Sequence, residues 1–194
     1  MKKVSIFVDV QNIYYTTKQQ FNSNFDYNKF WKLVTNQREV IGGFLLQEPD
    51  TKKTFSDDLK IVSKRRPSKN ETKDMLFAWK LVKHVRSNAI VLVKDQKTLA
   101  IGGGQVSRLD STRIAKNKLS EALKNVGSDI HEVNGLVASS DAFFPFPDGV
   151  ENLAEAGVTA IIQPGGSLND SNVIEIANKL DIAMAFTGIR HFSH

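Results

Sequence analysis

Apolar runs alternate with amphipathic stretches along most of the chain, which is the pattern of a layered α/β domain. Short apolar runs predict strands at about residues 4–10, 43–47, 59–62, 89–93, 98–101, 136–138, 158–163 and 182–186. Amphipathic stretches predict helices at about residues 27–34, 71–85, 107–126, 151–157 and 169–180. The chain is therefore expected to belong to the α/β class, with a change of character near residues 36–42 that marks a junction.

The helix at about 71–85 has the clearest periodicity. Its apolar residues Leu76, Trp79, Val82 and Val85 are spaced three apart along one stripe. Asn70, just before it, is the predicted cap, because an asparagine side chain can accept hydrogen bonds from the first free amides of a helix.

One loop stands apart from this alternation. Residues 139–149 read SSDAFFPFPDG, with three phenylalanines and two prolines in five consecutive positions and an aspartate close on either side. Two prolines this close exclude a regular helix and disfavour a central strand, since each removes an amide donor and fixes its own φ. The stretch is predicted to be a stiff loop that either plugs a core or presents aromatic faces and carboxylates to a flat, polar ligand.

Composition narrows the classes of function. The 194 residues are 41% hydrophobic and 24% charged, which fits one globular domain with a small appendage. No apolar run reaches the roughly 20 residues that a bilayer span needs, and no signal peptide is recognised, so we expect a cytoplasmic protein without a membrane partner. The net charge of +5 favours anionic partners, and the absence of cysteine excludes disulfides and thiol chemistry.

Gly102, Gly103 and Gly104 lie between a predicted strand and a predicted helix, where backbone amides can approach an anion closely. The run is neither a GxGxxG nor a P-loop motif, and plain turn chemistry explains it as well. Arg108 and Arg113 near the helix start oppose the helix dipole, an arrangement easier to understand with an anion between them.

Other polar clusters favour a structural interpretation. The pair Lys83-His84 falls at a helix end, where basic residues suit the dipole. The run from Lys64 to Arg66 is predicted to be a solvated turn, although a basic cluster can also hold nucleic acid. The histidines, at positions 84, 131, 191 and 194, lack metal-ligand spacing, so no metal site is expected.

Four motifs in order carry a resemblance: SNAIVLVKD, AIGGGQVSRLDSTRIA, SSDAFFPFPDGVENLAEAGVTAIIQPGGS and FTGIRHFSH. Together they resemble the C-terminal part of the bifunctional purine-biosynthesis proteins, in which AICAR formyltransferase is joined to IMP cyclohydrolase. AICAR is aminoimidazole carboxamide ribonucleotide. The similarity begins near Ile41, so residues 41–194 are predicted to be a formyltransferase subdomain. The implied fold is a cytidine-deaminase-like three-layer α/β/α arrangement with a mixed sheet.

The resemblance implies formyl transfer from formyltetrahydrofolate, as cosubstrate, to the amine of AICAR without a metal. It assigns the AICAR contacts to Asn88, Arg108, Phe143 and Arg190. The implied folate contacts are Leu109, Asp148, Ser167 and Leu168. Nucleic acid is not an implied partner, and the family works as a homodimer with active sites shared between subunits.

This sequence departs from the family pattern in three places. Pro147 stands where many members have arginine, and Gly103 where alanine is usual. The family's catalytic Lys-His pair, within a KHANPCG-like segment, has no counterpart here, and Lys83-His84 belongs to another motif. The resemblance therefore implies no catalytic residue in this chain, and we expect an incomplete formyltransferase.

Residues 1–40 differ from the rest. MKKVSIFVDVQNIYYTTKQQFNSNFDYNKFW resembles the short β-α opening of an NYN-domain protein, a PIN-like family of metal-dependent ribonucleases, with Asp9 at the first acidic position. The later acidic positions do not follow. Two alternatives to formyl transfer stay open on this basis: a magnesium-dependent nuclease that uses Asp9, and a non-catalytic module that binds nucleotide or folate.

Overall fold

The computed structural model describes residues 36–40, 43–47, 50–127 and 133–193. The chain divides into two compact units, Met1–Thr51 and Lys52–His194. In the first unit the described residues form an antiparallel hairpin of β1 (Asn36–Val40) and β2 (Gly43–Gln47). The predicted strand at 43–47 is confirmed, and β1 was not predicted. The predicted NYN-like strand and helix, with Asp9, lie outside the described residues.

The second unit contains a mixed six-stranded sheet in the order β3-β8-β7-β6-β4-β5. Strands β6, β7 and β8 run parallel, whereas β3 is antiparallel to β8, β4 to β6, and β5 to β4. The strands are β3 (Lys60–Ile61), β4 (Ile90–Lys94), β5 (Lys97–Gly102), β6 (Leu136–Ser140), β7 (Val158–Gln163) and β8 (Ala183–Phe186). Every strand predicted in this unit is present.

Four α-helices are described in this unit: α1 (Lys69–Val82), α2 (Arg108–Asn125), α3 (Asp148–Ala154) and α4 (Asp170–Lys179). A short 3-10 helix covers Ser56–Asp58. Helix α1 covers one face of the sheet, and the other three α-helices cover the opposite face. The predicted α/β class, with a mixed sheet between two helical layers, is confirmed.

Strand β4 shows why both faces are covered. Ile90 and Leu92 belong to the core beneath α2, whereas Val91 and Val93 belong to the core beneath α1. Successive side chains of a strand point to opposite faces, so a strand that is apolar at every position requires two helical layers. All four residues are fully buried.

Two helix starts differ from the prediction. Helix α1 is capped by Ser68 rather than Asn70: the Ser68 hydroxyl accepts from the Glu71 amide, and the Glu71 carboxylate accepts from the Ser68 amide. This reciprocal capping satisfies two amides at once. Helix α3 begins at Asp148, three residues earlier than expected, because Pro147 lies at the N-cap, where a proline's missing amide costs nothing.

The β4–β5 hairpin is anchored to α1. Its two-residue turn has positive φ at Asp95 (50°) and Gln96 (54°), as tight hairpin turns require. The buried Asp74 carboxylate of α1 accepts both turn amides, from Asp95 at 2.9 Å and from Gln96 at 2.7 Å. One helix side chain thus fixes the tip of the hairpin.

Within the described parts of the chain, none of the helices combines the length and apolar character that crossing a membrane would need.

Candidate functional site

The sheet gathers five loops at one end. The pairing of Ile90 with Gly102 and Ser140 aligns the start of β4 with the ends of β5 and β6. The parallel pairing of β6, β7 and β8 places their carboxyl ends at the same edge. The segments 87–89, 103–107, 141–147, 164–169 and 187–193 therefore meet there, and all eight predicted contact residues lie in these segments or within two residues of them. Ligands of α/β proteins commonly bind outside the carboxyl ends of strands.

Asn88 and Arg108 are brought together at this edge. The Asn88 Oδ1 accepts a hydrogen bond from Arg108 Nη2 at 2.9 Å, and Asn88 Nδ2 donates to the carbonyl oxygen of Gln105 at 3.0 Å. Both bonds fix which end of the amide is oxygen and which is nitrogen. Oδ1 keeps one lone pair, and Nδ2 keeps one hydrogen.

The Arg108 guanidinium is buried, with 5% of its side chain exposed. Its Nη1 donates to Asp141 Oδ1 at 2.5 Å and to the Ser140 hydroxyl at 2.6 Å. Arg113 lies 3.6 Å from Asp110. The two arginines therefore have carboxylate partners within the chain, and the expectation of an anion held between them stays a prediction.

Asp141 is the residue that sequence reasoning missed. Its loop was expected either to plug a core or to present carboxylates to a ligand, and Asp141 is completely buried and binds Arg108. Its Oδ2 accepts from the Ser87 hydroxyl, and Oδ1 also accepts from the Ala89 amide at 3.1 Å. No local signal reveals this pairing, because it depends on β6 lying beside β4.

Phe143 and Arg190 form the second pair. The guanidinium carbon of Arg190 lies 4.4 Å from the centre of the Phe143 ring. Arg190 belongs to the segment after β8, whose His191 amide donates to the Asp141 carbonyl at 2.9 Å. The Ser87 amide donates to the Ser193 carbonyl, and the Ser193 amide donates to the Ser87 hydroxyl. These bonds fix the terminal segment beside the loop that carries Phe143.

The three phenylalanines of this loop have separate roles. Phe144 is buried in the core beneath α2, and its amide donates to Gln163 Oε1 at 3.0 Å. Phe143 is partly buried under Arg190, and Phe146 is 62% exposed. The loop therefore both plugs the core and presents aromatic surface.

The predicted folate contacts lie around the same edge. Leu109 is in the first turn of α2, and Asp148 begins α3 with its carboxylate exposed. Ser167 and Leu168 are in the loop after β7, where the Leu168 side chain is fully exposed. The Asn169 side chain donates to the Pro145 carbonyl at 3.1 Å, which joins this loop to the phenylalanine loop.

The opposite end of the sheet carries an ion-pair network. Arg65, predicted to be solvated, is partly buried and pairs with Glu71 at 2.6 Å. Burial raises the pKa of Glu71, but bonds from Arg65, Thr159 and the Ser68 amide outweigh it and lower the pKa to about 2. An open cleft of about 370 Å³ lies here, lined by Arg65, Glu71, Asn134, Gly135, Thr159 and Asp181. Because Arg65 is bonded to Glu71 and to the carbonyls of Thr159 and Asp181, it stabilises the fold.

Lys83-His84 follows the last turn of α1, with Lys83 at the C-cap and His84 exposed. In the ranges that the structure covers, no group of three or more histidine, aspartate or glutamate side chains could hold a metal ion. The prediction that no metal is needed stays a prediction.

The profile of the family described as AICARFT/IMPCHase bienzyme matches residues 18–118, slightly more than half of the chain. The bifunctional purine biosynthesis protein PurH of Dinoroseobacter shibae is 54% identical over 157 residues, and that of Rhodospirillum rubrum is also 54% identical over 157 residues. Each alignment covers 81% of this chain and 30% of the relative. The chain therefore spans about 30% of the length of these relatives.

A dCMP deaminase from the cyanophage S-TIM5 covers 59% of this chain, with a TM-score of 0.39 and 17% sequence identity. A likeness at this score adds nothing to the layer arrangement already described. The family match starts at residue 18, before the predicted junction at residues 40 and 41. The division into an NYN-like segment at 1–40 and a formyltransferase part at 41–194 remains a prediction.

Proposed function

The chain belongs to the AICARFT/IMPCHase bienzyme family, and we propose that it binds AICAR and formyltetrahydrofolate for formyl transfer in purine biosynthesis. The observation that carries this proposal is the gathering of Asn88, Arg108, Phe143 and Arg190 at one edge of the sheet. These residues come from four separate segments, and they supply an amide, a flat ring and a cation side by side.

Each of these groups suits one part of AICAR. The free lone pair and hydrogen of the Asn88 amide match the amide of the carboxamide group, which needs one donor and one acceptor. The Phe143 ring offers an apolar face to the flat imidazole. The Arg190 guanidinium lies over that ring, 4.4 Å from its centre, and its N–H groups can bind the phosphate.

The neighbouring loops are proposed to hold the pterin. The exposed Asp148 carboxylate can accept hydrogen bonds from pterin N–H groups, as a negatively charged acceptor does most strongly. Leu168 and Phe146 are large apolar side chains left in solvent at this edge. Covering them with a ring system would remove apolar surface from water.

Formyl transfer requires the AICAR amine to attack the formyl carbon and the bond between that carbon and the folate nitrogen to break, while the amine loses a proton and the folate nitrogen gains one. Such transfers rely on a general base and on donors that stabilise the developing oxyanion. Because the family's catalytic Lys-His pair, within a KHANPCG-like segment, has no counterpart in these 194 residues, we propose ligand binding as the contribution of this chain. Turnover is expected only where that pair is supplied.

Calorimetry with AICAR and a folate analogue, beside a formyl-transfer assay, tests the proposal. Binding of both ligands without turnover is the expected result, and it also covers the alternative of a non-catalytic binding module. Absence of binding to either ligand would refute the proposal. Turnover by the chain alone would show that another base operates.

We also propose, from the family resemblance, that the protein acts in the cytoplasm and pairs as a homodimer. Val106 lies in the loop after β5, close to the same edge as Phe146 and Leu168, and is 96% exposed. It is apolar surface that pairing could cover. Sedimentation equilibrium at several protein concentrations would measure the pairing. A single species of 21.6 kDa at every concentration would contradict it. No observation favours the nuclease alternative, which depends on Asp9 outside the described residues.

A further inference from the structure

We propose that Asp141 is the positioning residue of the AICAR site, where it couples the Asn88–Arg108 pair to the Phe143–Arg190 pair. The inference rests on the proposed function for its choice of ligand. Asp141 itself is completely buried, so it acts through the residues that it holds.

The first link runs from the Asp141 carboxylate to Asn88. Oδ1 of Asp141 accepts from Arg108 Nη1 at 2.5 Å, and the same guanidinium donates from Nη2 to Asn88 Oδ1 at 2.9 Å. Because the guanidinium is planar and rigid, the bond that Asp141 makes to Nη1 also fixes the orientation of Nη2. Without the carboxylate, a buried cation would lose its counter-charge and turn toward other acceptors. The Asn88 amide would then lose the bond that orients it.

The second link runs from the Asp141 backbone to Arg190. The Asp141 carbonyl accepts from the His191 amide at 2.9 Å, directly after Arg190. Phe143 follows Asp141 by two residues in the chain, so one short segment holds both partners of the stacked pair. The position of the ring and of the cation is therefore set from the same residue.

Ser87 links the Asp141 carboxylate to the terminal segment by hydrogen bonds. Its hydroxyl donates to Asp141 Oδ2 and accepts from the Ser193 amide at 3.0 Å, and its own amide donates to the Ser193 carbonyl at 2.8 Å. The Asp141 side chain thus reaches the terminal segment by a second route. Hydrogen-bonded networks of this kind hold their members more firmly than isolated bonds do.

Asp141→Asn tests the coupling, because asparagine keeps the shape and removes the charge. We expect the Kd for AICAR to rise at least tenfold while the protein remains folded. Ser139→Ala is the matched control: Ser139 is fully buried on β6, two residues before Asp141, and its hydroxyl has no hydrogen-bond partner in the described part of the chain. The control should change the Kd less than twofold.

A double variant separates positioning from a general effect on stability. If Asp141 orients Asn88 through Arg108, adding Asp141→Asn to Arg108→Gln should weaken binding by clearly less than the sum of the two single losses. Additive losses would overturn the proposal. A folded Asp141→Asn protein that binds AICAR within twofold of the unsubstituted chain would overturn it as well.

Amide hydrogen exchange in the ligand-free protein provides an independent measurement. Asp141→Asn should raise the exchange rates of the His191 and Ser193 amides at least tenfold relative to Ser139→Ala, and unchanged rates would overturn the coupling. If the unsubstituted chain does not bind AICAR, the proposed function fails, and exchange alone decides the coupling. If Asp141→Asn does not fold, Ser87→Ala takes its place, and unchanged exchange at Ser193 would be the contradicting result.

Discussion

The guanidinium of Arg190 lies over the Phe143 ring, with 4.4 Å between the guanidinium carbon and the ring centre. The two residues come from different segments, one after β8 and one after β6. An arginine held over an aromatic ring keeps its charge and its capacity to donate hydrogen bonds. The pair is thus prepared to receive an anion beside an aromatic surface.

Arg190→Gln should weaken AICAR binding about 10- to 100-fold, since a hydrogen bond to a charged group contributes about 1.5–3 kcal/mol. Calorimetry would measure the change. Lys179→Gln is the control, because Lys179 is an exposed cation that pairs with Glu175 on α4. Equal losses in the two variants would show that Arg190 acts only through net charge.

Leu168→Ser should weaken binding of a folate analogue at least fivefold with little change in the free energy of unfolding. Leu168 is fully exposed, so its replacement removes no core contact. Val126→Ser serves as the control, since Val126 is 77% exposed just after α2. Similar folate affinities for both variants would argue against the assigned folate surface.

Gly165→Ala should destabilise the protein by about 2–5 kcal/mol. The backbone there has φ of +70°, and an added Cβ would lie 2.4 Å from Phe186 Cδ2. The left-handed backbone costs about 1–2 kcal/mol, and the ring displacement adds an overpacking cost of about 1–3 kcal/mol. Gly188→Ala isolates the backbone part, because Gly188 has φ of +68° with open space around it. Equal shifts of the denaturation midpoint would contradict the steric argument.

The Glu71 carboxylate should make stability depend on pH between about 4.5 and 2. Its folded-state pKa lies at about 2, below the ordinary 4.5, so its contribution is present above pH 4.5 and is lost as the pH falls through 2. The full shift corresponds to at most about 3 kcal/mol. Glu71→Gln should weaken the dependence on pH, in this range, of the free energy of unfolding measured with urea. Glu175→Gln, in an exposed pair on one helix, should leave that dependence nearly unchanged.

Hydrophobic periodicity predicted the sheet because its strands are apolar and short. It missed β1, since Asn36–Val40 reads NQREV and contains no alternation. The start of α1 could have been found: Ser68 and Glu71 have the spacing of a capping box, which is a stronger signal than Asn70 alone.

The site was predictable only in part. The family resemblance named Asn88, Arg108, Phe143 and Arg190, and the fold brings them to one edge, while their contacts with ligands remain predictions. Asp141 could not be identified as the partner of Arg108 from the chain alone. The two residues are 33 positions apart, and their contact follows from the order β6-β4-β5.

Asp74 gives the β4–β5 hairpin a fixed length. An extra residue at its tip would take one turn amide out of reach of the Asp74 carboxylate. It would also shift β5 by one residue, so that each side chain of β5 would point to the opposite face of the sheet. A side chain would then replace Gly102, where even an added Cβ would lie 2.0 Å from the Ser111 carbonyl oxygen. This surface turn should accept substitution but reject insertion, so a one-residue insertion after Gln96 should sharply reduce the yield of folded protein.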